Sequence, residues 1–373
     1  MGRIARTYRK PEEIRELIEN SGLPYILVNN RIFEQFYEVG KGTYTPYAKE
    51  IEGKKGEYEY FLLNGDKVPD SESKVEHEVN FDDRDIIIFI LLTFLDQIDF
   101  QGYTVEIANY LGTKSDKRIK ERIKKLKFLQ GEVNSYRGSG ERKYYSEPRK
   151  DRFITEINVK GFENGKQVTL NRWYINFECD YKQTKDKDGN IIDKPENFFM
   201  VTIYDLDLLT SGQLTEKEFI AYLYLIKSYN SGKNDAIYQT ISTISEKINI
   251  KDRVITKKIL EKLVTMRVKD KFCDNQQKDF PLVHFSKPAN YEDKLTKRLE
   301  PSLKYYPIYH ITTLQKLKGE DVNAYPTPEE VTDDIEENKL DSDLNKTDTN
   351  LLVDSDLNKT DSDYNYLDGD IVF

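Results

Sequence analysis

A three-helix pattern that occurs twice constrains this chain more than any other feature. The first copy opens on Asn80-Phe81-Asp82-Asp83, a helix-capping signal, and predicts a strongly apolar helix to about Leu95. A short helix follows over Thr104–Leu111, Gly112-Thr113 makes a turn, and a basic helix runs from about Ser115 to Leu126. The second copy opens on Thr215-Glu216-Lys217-Glu218, a capping box, and predicts a helix to about Tyr229. A short helix over Thr240–Ile248 then leads through Asn249-Ile250 into a longer one from Asp252 to about Met266. First and third helices recur at offsets of about 130–136 residues, so the type of element repeats although the residues do not.

Between the copies, residues 152–203 read as strands. Phe153–Val159 alternates at period two, Asn164-Gly165 is a hairpin turn, and Val168–Phe177 is the return strand. Lys187-Asp188-Gly189-Asn190 marks a second exposed turn. Residues 1–79 mix a helix, about Pro11 to Asn20 and closed by Ser21-Gly22, with aromatic runs such as Tyr58–Leu63 before Asn64-Gly65.

The net charge of −9 argues against a polyanion partner until the chain is divided. Residues 320–373 hold 17 acids and three lysines, net −14, which leaves 54 bases against 49 acids, net +5, in residues 1–319. From Gly319 onward Asp, Asn, Ser and Thr dominate, the composition of a disordered acidic tail. Leu340–Asp348 recurs there as Val353–Asp361, and the chain closes on the apolar Ile371-Val372-Phe373.

Several classes are excluded. No apolar run approaches the roughly 20 residues of a membrane span, and the longest, Asp85–Leu95, begins on an acid. The N-terminus lacks a signal-peptide core, and Arg6 stands where myristoylation wants Ser or Thr. Cys179 and Cys273 lie far apart, which points to a reducing, cytoplasmic setting. His77, His284 and His310 lack metal-motif spacing, so no cofactor or metal is expected. No Walker A, GxSxG or HExxH motif occurs, and the chain is not expected to be an enzyme.

The basic helix carries the functional expectation. Ile119, Ile123 and Leu126 form one apolar stripe, and Ala108 on the short helix leaves room for close approach. Lys114, Lys117, Arg118, Lys120, Lys124 and Lys125 are expected to point away from the stripe. With eight bases against Asp116 and Glu121, residues 114–127 carry +6, as a helix laid in a DNA major groove requires. A solvated charged face would look the same, but a glycine-tipped hairpin with Arg137, Arg142 and Lys143 follows, which reads as a wing touching the DNA backbone.

The second copy is less basic. Ile255, Ile259, Leu263 and Met266 are expected to line its inner face, with Arg253 and Lys257 outward and Lys251 and Lys258 flanking. Leu260 and Val264 turn outward on this reading, so a dimer contact or intramolecular docking competes with groove reading. Val268–Phe272 with Asp279–Phe285 would be its wing. The 26 tyrosines suggest stacking platforms for single-stranded bases, or half-buried strand residues, the preferred reading for Tyr58, Tyr60 and Tyr174.

On Phe199–Tyr204, Leu214-Thr215-Glu216-Lys217-Glu218-Phe219-Ile220-Ala221-Tyr222 and the helix pair that follows, about 70 residues resemble the winged-helix replication proteins of bacterial plasmids, integrative elements and phages. The terminal Asp368-Gly369-Asp370-Ile371-Val372-Phe373 resembles the tip of bacterial single-stranded DNA-binding proteins, with Val372 in place of their proline. That resemblance implies partner binding through Asp368, Asp370, Ile371, Val372 and Phe373, the partners being host replication proteins.

The expected fold is α+β, with two winged helix-turn-helix units joined by β-hairpins and a disordered acidic C-terminal tail. The expected segments are 1–79, an N-terminal α/β extension; 80–150, a winged-helix DNA-binding domain; 151–203, a β-hairpin connector; 204–319, a second winged helix; and 320–373, the tail. The expected function is sequence-specific duplex DNA binding in the replication of a plasmid, mobile element or phage. A transcriptional regulator and a single-stranded DNA-binding protein are the alternatives, and a homodimer stays open.

Overall fold

The computed structural model describes residues 8–39, 41–131, 148–163, 165–187, 189–230, 235–236, 239–269, 279–286 and 304–319. The fold is α+β, with small antiparallel sheets among its helices. It divides into two compact bodies: the described residues of Met1–Lys227 with Thr240–Leu263, and those of Ser228–Gln239 with Val264–Phe373.

Among the described residues the helices are α1 (Pro11–Asn20), α2 (Ile32–Glu34), α3 (Asp83–Gln97), α4 (Thr104–Tyr110), α5 (Asp116–Leu126), α6 (Ile203–Thr210), α7 (Glu216–Ser228), α8 (Ile241–Lys247), α9 (Arg253–Thr265) and α10 (Ile308–Leu317). α3 is the axis of the first body. Ile86 to Leu92, with Phe94 and Leu95, are all buried, because a helix apolar on every side must be enclosed on every side. Asp82 caps it, accepting from the Arg84 and Asp85 amides at 3.0 and 3.3 Å, while Asp85 accepts from the Asp82 amide at 2.9 Å. A cluster of Phe36, Phe81, Phe89, Phe153 and Phe177 packs at its side with ring centroids 5.0–6.0 Å apart. Phe36 sits in a π-helical turn, Gln35–Val39, that continues α2 and that nothing in the sequence pattern announces.

The N-terminal segment is built into this body. Strand Tyr25–Asn29 pairs antiparallel with Phe198–Thr202, Tyr25 opposite Thr202. Strands Ile154–Glu163 and Lys166–Ile175 form the expected long hairpin, and Gln101–Gly102 adds to its second strand. Asp180–Lys185 and Ile191–Glu196 form the second expected hairpin, with Gly189 at φ 84°. Tyr58, Tyr60 and Tyr174 all lie on strands; Tyr60 is half-buried, whereas Tyr58 and Tyr174 are exposed. α6 was not expected: Thr202 caps it and accepts from the Asp205 amide at 3.1 Å, a box of the same Thr-x-x-acid type as at Thr215.

In the second body, Tyr229–Asn230 pairs with Asp235–Ala236 and Arg267–Lys269 with Asp279–Pro281. His284–Ser286 pairs instead with Lys304–Tyr306, which leads through Pro307 into α10. The expected return strand Asp279–Phe285 is therefore two strands broken at Leu282-Val283. Both residues there are fully buried, so that turn belongs to the packing rather than to an exposed hairpin. The acidic tail, residues 320–373, lies outside the described residues.

Candidate nucleic-acid interface

The turn between α4 and α5 is fixed by three backbone bonds: Leu111 N–H to Ile107 O, Gly112 N–H to Asn109 O and Thr113 N–H to Ala108 O, at 2.8–3.1 Å. Gly112 sits at φ 63°, a left-handed conformation glycine adopts without cost. Ala108, the small residue expected to leave room for close approach, is buried. Ile119, Ile123 and Leu126 bury the inner face of α5 against this frame, about 1.5–3 kcal/mol each.

The eight cations of residues 114–127 divide into two sets. Three turn inward. Arg122 Nη1 reaches Asp82 Oδ1 at 2.5 Å and Asp85 Oδ1 at 3.0 Å. Lys125 Nζ lies 2.5 Å from Asp85 Oδ2, donates to Asn80 O at 2.6 Å, and sits 5.2 Å from the Phe81 ring centroid. Lys127 pairs with Glu156. The Arg122 and Lys125 bonds pin α5 to the capped N-terminus of α3, and Lys127, just past its end, is tied to the strand Ile154–Glu163. Burial alone would raise the pKa of Asp82, but the Arg122 hydrogen bond and charge outweigh it and hold it low. Asp85 goes the other way: full burial, with Asp82 beside it, raises its pKa despite Lys125. Lys125 is thus a correction to the sequence reading. Its stem is long enough to run along Phe81 to a carboxylate on another helix, a partner no wheel drawn on α5 alone can reveal.

The other five turn outward. Lys117 and Lys124 are 84% and 64% exposed, and Lys114, Arg118 and Lys120 are exposed too. Lys120 pairs with Asp116 at 2.8 Å, Lys117 reaches Glu121 only at 4.0 Å, and Lys124 lies 3.4 Å from Asp66. Lys114 and Arg118 make no ion pair among the described residues. Five outward bases against Asp116 and Glu121 leave +3 on the outward residues of α5 itself, half of what the sequence count gives, and Asp66 beside Lys124 offsets one more. Arg122, which is not among the expected site residues, is the strongest tether, with two carboxylate partners. Its one sequence signal is a place beside the apolar stripe, three residues after Ile119.

Beyond α5, strands Leu129–Gly131 and Pro148–Arg152 pair antiparallel, Leu129 opposite Arg152. The chain between them carries Arg137, Arg142 and Lys143, which lie outside the described residues, as do Asp368, Asp370, Ile371, Val372 and Phe373.

The α8–α9 pair repeats the α4–α5 pair at a constant offset of 137. Ile248 N–H bonds Ile244 O, Asn249 N–H bonds Glu246 O and Ile250 N–H bonds Ser245 O, at 2.9–3.2 Å. Asn249, at φ 54°, occupies the place of Gly112, and the buried Ser245 that of Ala108. The tether recurs: Lys262, the counterpart of Lys125, donates to Glu218 at 2.6 Å, and Glu218 is the N3 residue of the α7 capping box as Asp85 is of α3. The two copies also exchange ion pairs, Arg84 with Glu216 at 2.7 Å and Lys217 with Asp83 at 2.8 Å, the reciprocal pattern of contacts related by a two-fold.

The face of α9 differs from expectation. Thr256, Ile259, Leu260 and Leu263 are buried, whereas Ile255 is 49% and Val254 60% exposed. Leu260 therefore faces inward and Ile255 outward. Thr256 donates its hydroxyl to Asp252 O at 3.2 Å, four residues back, and this lets a nominally polar residue occupy the apolar stripe. Counting it as polar rotated the reading by about one residue, or 100°. Lys251, Arg253, Lys257 and Lys258 are all exposed, with Lys257 3.7 Å from Glu261.

Among the described residues no group of His, Cys, Asp and Glu is arranged to hold a metal, and no helix is long and apolar enough to cross a membrane. Comparison with family models, with curated proteins and with solved structures finds no match to this chain.

Proposed function

We propose that the chain is a duplex-DNA-binding protein with two winged helix-turn-helix units, in which α5 is the principal groove-reading helix. The observation that carries this reading is the separation of the α5 cations. Arg122, Lys125 and Lys127 tether the helix, while Lys114, Lys117, Arg118, Lys120 and Lys124 stand in solvent with a net charge of +3. A merely solvated helix has no need of a rigid mount, whereas a helix that must hold register on a polyanion does. The paired strands after α5 support the wing, whose Arg137, Arg142 and Lys143 would add backbone contacts. Lys251, Arg253, Lys257 and Lys258 make α9 the second contact. By its resemblance to replication proteins of plasmids and phages, the chain would act where such an element starts copying itself. Its terminal Asp368, Asp370, Ile371, Val372 and Phe373 would engage host replication proteins.

The test is a salt titration of duplex and single-stranded oligonucleotide binding by the full chain. Lys117→Ala, Arg118→Ala and Lys124→Ala together should weaken duplex binding about 10-fold or more at 0.1 M salt and lower the magnitude of the log–log salt slope by about two to three. All three side chains are exposed, so the fold should hold. An unchanged slope, or tighter binding to the single strand than to the duplex, removes α5 as the groove-reading helix.

A further inference from the structure

We infer that α9 reads thymine methyl groups, through Val254 and Ile255. This rests on the duplex-binding reading above and names what one of its helices would recognise. The 137-residue offset places Val254 and Ile255 where α5 has Lys117 and Arg118, in the first turn of the helix that follows the tight turn. In such a helix the N-terminal residues are those that reach base edges. Both side chains stand in solvent, 60% and 49% exposed, although the same helix buries Thr256, Ile259, Leu260 and Leu263. The pair is therefore not a failed core position. Asp252 fixes it in place, accepting from the Val254 amide at 2.8 Å.

The surroundings select the partner. Residues 251–261 hold Lys251, Arg253, Lys257 and Lys258 against Asp252 and Glu261, a net of +2 around two aliphatic side chains, with Glu261 3.7 Å from Lys257. The core of a protein interface is depleted in lysine and needs an apolar area well beyond two side chains. A duplex offers the opposite pairing: phosphates for the four cations, and in the major groove one apolar group, the C5 methyl of thymine. The helix N-terminus and the cations set α9 on the backbone, and the aliphatic pair then discriminates A·T from G·C at the steps it touches. The two copies thus divide the work. α5 presents Lys117 and Arg118, suited to guanine O6 and N7 or to phosphate, while α9 presents methyl-seeking side chains.

The experiment is selection of binding sites from a random duplex library by the full chain, followed by deoxyuridine replacement of each thymine in the selected duplex. Deoxyuridine lacks only the methyl. At one cluster of positions, wild-type affinity should fall about four-fold per methyl removed, the transfer free energy of one methylene-sized group. The Val254→Ala, Ile255→Ala double variant should bind thymine and deoxyuridine duplexes equally, with its salt slope unchanged. A selected duplex on which deoxyuridine changes nothing, or changes wild type and double variant alike, overturns the inference while leaving duplex binding intact. So does a double variant that keeps its base preference but changes its sedimentation mass, which would assign the pair to protein contact. Failure to select any duplex overturns the duplex-binding reading itself, and this inference with it.

Discussion

The two copies of the helix pair share a backbone and differ in how they hold it. In the first, both capping residues of α3 are acids, Asp82 and Asp85, and α5 answers with Arg122 and Lys125. In the second, the corresponding residues are Thr215 and Glu218, and the places of Arg122 and Lys125 are taken by Ile259 and Lys262. Each copy is charge-matched: where the cap loses an acid, the third helix loses a base. The capping box and the tether are therefore one device. The N3 carboxylate satisfies the backbone of the first helix and anchors the third at the same time, so the third helix's outer face is left to vary. That freedom allowed Lys117 and Arg118 in one copy to correspond to Val254 and Ile255 in the other.

The largest expected difference lies in the anchors. Asp85 is fully buried, so Lys125→Ala leaves a carboxylate with Arg122 as its one remaining cation and should cost about 2–3 kcal/mol in a urea titration of the full chain. Lys262 is 45% exposed, and Lys262→Ala should cost only about 0.5–1 kcal/mol. Equal costs would break the comparison, since the first anchor would then be no more essential to its copy than the second.

A smaller effect separates the turns. Gly112→Ala places a Cβ at φ 63° and should cost about 1 kcal/mol, whereas Asn249→Gly, at φ 54°, should be neutral or stabilise by up to about 0.5 kcal/mol. If Asn249→Gly is instead as costly as Gly112→Ala, the asparagine side chain has a role that the shared backbone does not explain.

Much of this frame was legible in the sequence because it rests on local rules. Asp82 and Thr215 mark helix starts through their own backbone bonds, Gly165 and Gly189 mark hairpins through their φ, and the positions of α3, α4, α5, α7, α8 and α9 follow within about two residues. What was not legible depends on partners far along the chain. Lys125 resembles any outward lysine until Asp85, 40 residues earlier, is known to lie beneath it. Thr256 counts as polar until its hydroxyl is seen bonded to Asp252. The π turn sets the Phe36 ring against Phe81, Phe89 and Phe153, partners 45 or more residues along the chain. α6 is a different case, since its Thr202–Asp205 cap was available in the sequence and was masked by the β-rich run before it.

The smallest expected effect is also the one whose sign separates the two anchors. Burial alone would raise the pKa of Glu218, but the Lys262 hydrogen bond and the Thr215 amide and hydroxyl outweigh it, so its folded value lies below that of an ordinary glutamate. A depressed carboxylate contributes stability above its unfolded pKa and loses it as pH falls through the folded one. Asp85 has its folded pKa raised, chiefly by burial, so its ionisation opposes folding. Its contribution is fully favourable below the ordinary aspartate value and is lost as pH rises through the folded one. Between about pH 3 and 6, the stability of wild type relative to Glu218→Gln should therefore climb with pH, and that of wild type relative to Asp85→Asn should decline. Urea midpoints of the three proteins across that range read both slopes. Slopes of the same sign would mean that Asp85 is as well compensated as Glu218, and the extra cation Arg122 would then be what sets the first copy's carboxylate on equal terms with the second.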